Sequence, residues 1–328
     1  MKRMFALAAL ALIGVPELGL ADPVKIGVLL PLSGPFASFG DRIRGAMAKE
    51  SSPGMEFVFE DEGCEPKRAL QAYSALADRQ QIRLFLGPLC GSPQIVVAES
   101  ISRRDHFALL GSSAPSRTFV LSNGKMLSTQ PPIEREARFL AAEIFNRGYS
   151  RVVTVFFENE FSRAHEAAFV KDYRGTVAET FAYATQDAST LKAIALKLRT
   201  IKPQAIYLPD ASPIFAGFLR ELGAIGLSDI PVFSVFSAES PDLLPLIAKE
   251  RSRVFYSYPE TQGHDAMTYF PALAARSMVK AALRCGGVPE CTRARIREEH
   301  VFADDGSIEG DFVLKHVVDG HYAKVNVP

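Results

Sequence analysis

The sequence predicts an α/β fold of two doubly wound parallel-sheet lobes, and three observations lead there. Short runs rich in Val, Ile and Leu end at Gly, Pro or Ser and are followed by segments whose apolar spacing is helical. This strand–loop–helix unit occurs four times before residue 128 and begins again after residue 133. Between the two series stands Ser128-Thr129-Gln130-Pro131-Pro132, a stiff, helix-stopping stretch suited to a crossing between lobes.

Residues 24–30 form the first apolar run, closed by Pro31 and the turn Ser33-Gly34-Pro35, with helical spacing from Phe39 onward. Residues 55–60 read as a second strand and residues 67–78 as a helix with Ala69, Leu70, Tyr73 and Leu76 on one face. Residues 84–86 form a third strand, after which Ser92-Pro93 signals a helix start, since Ser caps orphan N–H groups and Pro suits the first turn. Residues 107–110 form the fourth, followed by Gly111-Ser112-Ser113-Ala114-Pro115. The second series reads as strands at 151–157, 176–183, 205–208 and 232–236, with helices at 133–146, 161–173, 188–199 and 214–222. Residues 253–258 make one more strand, 267–283 a long helix, and 312–318 with 322–327 a hairpin around Asp319-Gly320.

A chain of 328 residues with 48% apolar content has room for two ordinary domains. Lys+Arg and Asp+Glu both number 37, and no basic run suggests a nucleic-acid groove. Residues 1–21 read as a secretory signal: Lys2 and Arg3 precede an apolar run, and Gly19-Leu20-Ala21 places small residues at a cleavage site. That run is too short for a membrane anchor, no Cys follows it to carry a lipid, and a protein starting at Asp22 with net charge −1 is expected outside the cytoplasm. Four cysteines in an exported chain imply two disulfides in any of three pairings; Cys285 and Cys291 are separated by a turn-like linker.

Enzyme signatures are missing: there is no nucleophile elbow, phosphate loop or dinucleotide fingerprint. His165-Glu166 opens a zinc-protease pattern that ends in Phe169, so the pair is expected on a solvated helix face. Asp304-Asp305-Gly306 is a turn rather than a calcium loop, the six His form no ligand cluster, and no metal or cofactor is expected. A hydrolase would need a nucleophile beside a base, and Ser113 with His106 is the nearest pairing in the chain. The strand-end loops favour binding instead. Ligands of open parallel sheets sit at the carboxyl ends of strands, and Ser33, Ser92, Ser112 and Ser113 bring hydroxyls there.

The stretch Ile26-Gly27-Val28, then Pro31 to Pro35, then Phe39-Gly40 resembles the start of periplasmic solute-binding proteins of the branched-chain amino acid (Leu/Ile/Val) type. The likeness extends, with gaps, over most of the chain after residue 21. It implies the type I periplasmic binding fold, with a three-crossing hinge near residues 128–132, Arg251 and Gly306. Lobe 1 would then hold residues 22–128 and 252–305, and lobe 2 residues 129–251 and 306–328. The family joins a Cys after its second strand to one after its third, which implies Cys64–Cys90 and leaves Cys285–Cys291. Gly91 takes the place of the family's first ligand-binding Ser, with Ser92 as its substitute, and Ser113 aligns with a ligand-binding Thr. Phe161 corresponds to an aromatic that closes over the ligand, Ala211 replaces another, and Phe236 stands near the family's amine-binding Glu. Asp210 and Glu239 are the acids left to do that work.

The expectation is therefore a monomer that captures a small molecule and passes it to ABC permease membrane subunits in the periplasm. A sensing partner of a receptor on the same fold is the alternative. Without the amine-binding Glu, a buried ammonium would lose its partner at a cost of about 3–5 kcal/mol. The ligand is thus expected to be largely apolar with a carboxylate or amide end, held between the serines and Phe39, Phe161 and Phe236, with branched-chain amino acids second.

Overall fold

A computed structural model of the chain describes residues 22–184, 188–210, 213–240, 243–247, 253–318 and 320–325. The expected signal segment, Ala211 and the crossing placed at Arg251 lie outside them. The described strands form two sheets. The first has the order β2-β1-β3-β4-β5, from β1 (Val24–Leu30), β2 (Met55–Asp61), β3 (Leu84–Leu86), β4 (Phe107–Leu110) and β5 (Met126–Ser128). All its pairings are parallel. The second runs β12-β11-β10-β9-β8-β6-β7, from β6 (Arg151–Phe157), β7 (Thr176–Tyr183), β8 (Ala205–Tyr207), β9 (Val232–Ser234), β10 (Val254–Pro259), β11 (Phe312–Val318) and β12 (His321–Lys324). Its last two strands are the antiparallel hairpin.

Both sheets place the second strand, the first, the third and the fourth in the same spatial sequence. The direction of winding therefore reverses between β1 and β3 and between β6 and β8, and at such reversals the following loops diverge to leave a crevice. The central strands β1, β3, β4, β6, β8 and β9 are buried on both faces, which is why they read as apolar runs, while the edge strands β2, β7 and β12 stay partly exposed. In the first lobe α1 (Ala37–Ala48) and α10 (Ala266–Cys285) cover one face through Ile43, Met47, Ala274 and Met278. Helices α2 (Pro66–Ser74) and α3 (Gly91–Ser102) cover the other through Tyr73, Val97 and Ile101. In the second lobe α5 (Ile133–Asn146) and α6 (Glu160–Asp172) oppose α7 (Ala188–Ile201) and α8 (Pro213–Ala224).

The first crossing lies between the end of β5 at Ser128 and the start of α5 at Ile133. The second differs from expectation. The resemblance places residues 252–259 in lobe 1, but β10 pairs with β9 and β11 in the second sheet. The chain returns only between Pro259 and α10, because Phe255 and Tyr256 alternate onto the second lobe's core while α10 carries the apolar face of the first. At the third crossing Ser307 bridges Ser128 and Ile308 bridges Phe302 before β11 begins. Three further helices carry weak sequence signals: α4 (Ser116–Leu121), α9 (Leu244–Ile247) and α11 (Pro289–Glu299). The first two are too short to show a period, and α11 has few apolar residues.

The disulfides are Cys64–Cys90 and Cys285–Cys291, spanning 26 and 6 residues. Loop-closure entropy grows with span, so replacing Cys64 and Cys90 by Ala should cost about 3.5 kcal/mol and replacing the other pair about 2 kcal/mol. Chemical denaturation of the two double variants checks the order; a larger loss from the Cys285–Cys291 pair would contradict it.

Candidate functional site

The loops that diverge at the two winding reversals face each other and enclose a cavity of about 190 Å³. From the first lobe come Phe39, Gly91, Ser92, Ser112 and Ser113; from the second come Phe161, Asp210 and Phe236. These eight predicted residues line one space. Two predicted residues do not. Ser33 accepts a hydrogen bond from Arg68 Nη1 at 2.8 Å, in a cluster where Asp61 also takes the Leu32 and Gly63 N–H groups. Its hydroxyl stabilises its own loop. Glu239 accepts from Tyr256 at 2.8 Å and pairs with Lys315 at 2.7 Å, so it anchors β10 and β11 instead of facing a ligand.

The motif Phe39-Gly40 has a packing cause. A Cβ on Gly40 would stand 2.0 Å from the Pro31 carbonyl oxygen, so only glycine lets α1 descend onto the β1 loop and deliver Phe39 to the cavity. Gly91 sits close against the other lobe: a Cβ there would lie 3.1 Å from the Phe161 backbone nitrogen, tight but relieved by a small shift. The next residue departs from its expected role. Helix α3 starts at Gly91, so Ser92 lies inside the first turn and does not cap it. Its hydroxyl instead accepts from the Glu160 N–H at 3.2 Å, in the other lobe, where Arg117 also pairs with Glu160 at 2.9 Å. These contacts describe a closed arrangement of the lobes. Ser112 is also engaged, donating to the Leu89 carbonyl at 3.0 Å and accepting from Gln94 at 3.1 Å. The Ser113 hydroxyl has no hydrogen-bond partner among the described residues and is 3% exposed.

His165 overturns the expectation of a solvated face. It is fully buried, with Nε2 3.1 Å from the Glu136 carboxylate and Nδ1 3.0 Å from the Phe161 carbonyl. Glu136, also buried, accepts from the Phe236 N–H at 2.9 Å and the Ser257 hydroxyl at 2.5 Å. One carboxylate thus joins α5, α6, β10 and the β9 loop, and fixes both aromatic walls of the second lobe. The buried pair has no sequence signature because its partners are 29 residues apart. Asp210 accepts from the Tyr183 hydroxyl, whose proton is held well above its ordinary range by burial and by the Asp210 charge beside it. His106 sits at the amino end of β4, opposite the end that carries Ser113, and bonds the Tyr73 hydroxyl at 2.6 Å. Burial pushes its pKa down to about 4. The Ser113–His106 pairing that a hydrolase would need is therefore not formed.

Sequence reasoning missed Phe36, Phe157, Asn159, Ser162, Gln130, Ser237 and Met267, which also line the cavity. Phe157 and Phe36 end a strand and a turn and were legible as such. Gln130 and the serines carry no pattern that separates them from ordinary loop residues. Glu62, at the end of β2, lies below the wall: one carboxyl oxygen accepts from the Leu89 and Cys90 N–H groups at 3.1 Å each. Burial pushes its pKa up to about 8, outweighing those two bonds.

Two predictions follow from these buried carboxyls. Glu136→Ala strips partners from His165, Ser257 and the Phe236 N–H, and should cost about 3–5 kcal/mol by chemical denaturation; a loss below about 1 kcal/mol would contradict the anchoring role. For Glu62 the folded state binds its proton more tightly than the unfolded state. The contribution of Glu62 to stability should therefore be fullest below pH 4.5 and be lost as pH rises to about 8. Glu62→Gln, which keeps an acceptor for both N–H groups, should flatten that slope and melt higher than the parent at pH 8. An unchanged slope between the two proteins would refute it.

Comparison with known proteins places this geometry. A leucine-binding protein of Thermotoga maritima superposes with a TM-score of 0.82 at 17% identity, covering 92% of this chain and 98% of that one. An R. palustris ABC transporter solute-binding protein in complex with benzoate gives 0.80 at 14%, covering 92% and 95%. The branched-chain amino acid transporter substrate-binding protein of Streptococcus pneumoniae, in complex with isoleucine, gives 0.78 at 13%, covering 93% and 99%. At these identities the likeness is one of fold. An amino acid binding protein of Pseudomonas aeruginosa is 33% identical over 128 residues, which span 36% of this chain and about a third of that protein's length. The periplasmic binding protein family model matches residues 23–283, most of the chain and both sets of loops around the cavity, and the chain belongs to that family.

Proposed function

We propose that the chain is the exported solute-capturing component of an ABC importer. It closes its lobes on a small, largely apolar molecule with a carboxylate or amide end, and presents the closed form to permease subunits as a monomer. The observation that carries this reading is the cavity's composition. Phe36, Phe39, Phe157, Phe161 and Phe236 all stand in its wall, with a few polar groups among them. Gly91 and Ser92, in the first turn of α3, line it together with Ser113, and the first N–H groups of a helix have no intrahelical partner. A helix start of this kind receives an anion without a bulky cation beside it. Among the structural relatives, the names of a leucine-binding and a benzoate-complexed protein support ligands of this size and polarity.

Asp210 favours a second reading. It is 5% exposed and lines the cavity from the lobe opposite Ser113, where an amino acid's ammonium would need a carboxylate. The chain contains no Trp, so calorimetry is the direct probe. Leucine and its des-amino analogue 4-methylpentanoate should differ by about tenfold or more in favour of the analogue, one unmet charge being worth at least that. Asp210→Asn should not weaken the analogue. Leucine binding more tightly, with that preference abolished by Asp210→Asn, would establish the amino acid reading instead.

A further inference from the structure

Two polar contacts across the cleft meet at one residue, Glu160, the first of α6. Its backbone N–H donates to the Ser92 hydroxyl of α3 at 3.2 Å, and its carboxylate pairs with Nη2 of Arg117, on α4, at 2.9 Å. Arg117 is itself held in place. Its neighbour Ser116 donates its N–H at 3.0 Å and its hydroxyl at 2.7 Å to Glu134, in the first turn of α5 directly after the first crossing. The start of α4, in the first lobe, is thus tied to the second lobe at two points, one beside the hinge and one at α6. Arg117 and Glu160 stand outside the cavity lining, although Asn159 and Phe161 on either side of Glu160 belong to it.

We propose that Arg117 and Glu160 are positioning residues for capture: an electrostatic latch that forms only when the lobes close, touches no ligand, and strengthens the binding of every ligand by one common factor. The inference rests on closure of the lobes around the cavity and not on which molecule fills it. Opening carries α6 away from α3 and α4, so the Arg117 and Ser92 contacts with Glu160 are lost together. A bond present in one state alone shifts the equilibrium towards that state. The apparent affinity of a site that is complete only when closed rises with the closed population. The size of the effect follows from exposure. The Arg117 side chain is 56% exposed and that of Glu160 17%. Water and salt therefore screen the pair, and it should contribute about two- to fivefold in affinity. Ser92 shares the contact but lines the cavity, so removing its hydroxyl also alters the ligand's surroundings. The latch is read through Arg117 and Glu160 alone.

Calorimetry on the intact protein with leucine and with 4-methylpentanoate reads the latch on whichever of them binds. Arg117→Glu sets two acids against each other. It should weaken each ligand that binds by the same factor, about threefold or more at about 20 mM salt. The loss should shrink at about 1 M salt, where charges are screened within about 3 Å. Glu160→Arg should behave alike. The exchange Arg117→Glu/Glu160→Arg should restore the parent affinity, which a merely structural role of either side chain would not do. Thermal melting checks that each variant folds, and Arg117→Gln, with an expected loss of about two- to fivefold, replaces a single variant that does not. Unchanged affinity in the single variants, or a loss that the exchange leaves in place, overturns the latch while the ligand reading stands. Two ligands weakened by different factors overturn the common factor. If neither ligand binds, the proposed ligand class falls, and X-ray scattering of the ligand-free protein decides the latch. At low salt Arg117→Glu should then have a larger radius of gyration than the parent and the exchanged protein; equal radii overturn it.

Discussion

The Glu136 carboxylate is the point on which the second lobe's half of the cavity is assembled. A buried anion persists only where several donors converge on it. Here these are a backbone N–H next to one aromatic wall, a hydroxyl on the last parallel strand, and an imidazole that in turn grips the carbonyl of the other aromatic wall. Glu136 lies in the first turn of α5, immediately after the proline-bound crossing. The residue that organises the binding wall is thus carried by the segment that joins the lobes, and Phe161 and Phe236 are placed relative to the hinge as much as to their own sheet.

The first lobe uses a different device. Its wall is set by close backbone approach, with Gly40 letting α1 seat on the β1 loop and Gly91 letting Phe161 seat on the start of α3. A Cβ at Gly91 would press on the Phe161 backbone and call for a shift of a few tenths of an ångström. The serine that stands beside it then serves closure, through the Glu160 N–H, rather than the ligand. Beneath both, the buried Glu62 carboxyl and the Cys64–Cys90 bridge hold the loop that carries Leu89 and Cys90.

The repeated strand–loop–helix units were legible because a parallel strand buried on both faces must be apolar throughout, and that leaves an unmistakable run. The loops bearing Phe39, Ser113, Phe161 and Asp210 could be located for the same reason: each begins where such a run stops. What the chain could not announce was the use made of individual polar groups. Ser33 and Glu239 sit in plausible loops, yet Arg68 and Lys315 claim them from distant elements. His165 stands four residues from both Phe161 and Phe169, on the buried face of its helix, and a carboxylate from another helix pairs it there. The fate of β10 was hidden likewise, since an apolar run fits either sheet and only its pairing with β9 and β11 decides.

The central claim is that the ligand is bound between the lobes, in the cavity that their closure completes. Small-angle X-ray scattering of the protein alone and saturated with 4-methylpentanoate tests it most directly. A fall in the radius of gyration on saturation, at concentrations where calorimetry registers binding, is the predicted result. Calorimetric binding with an unchanged radius of gyration would place the ligand elsewhere and contradict the account.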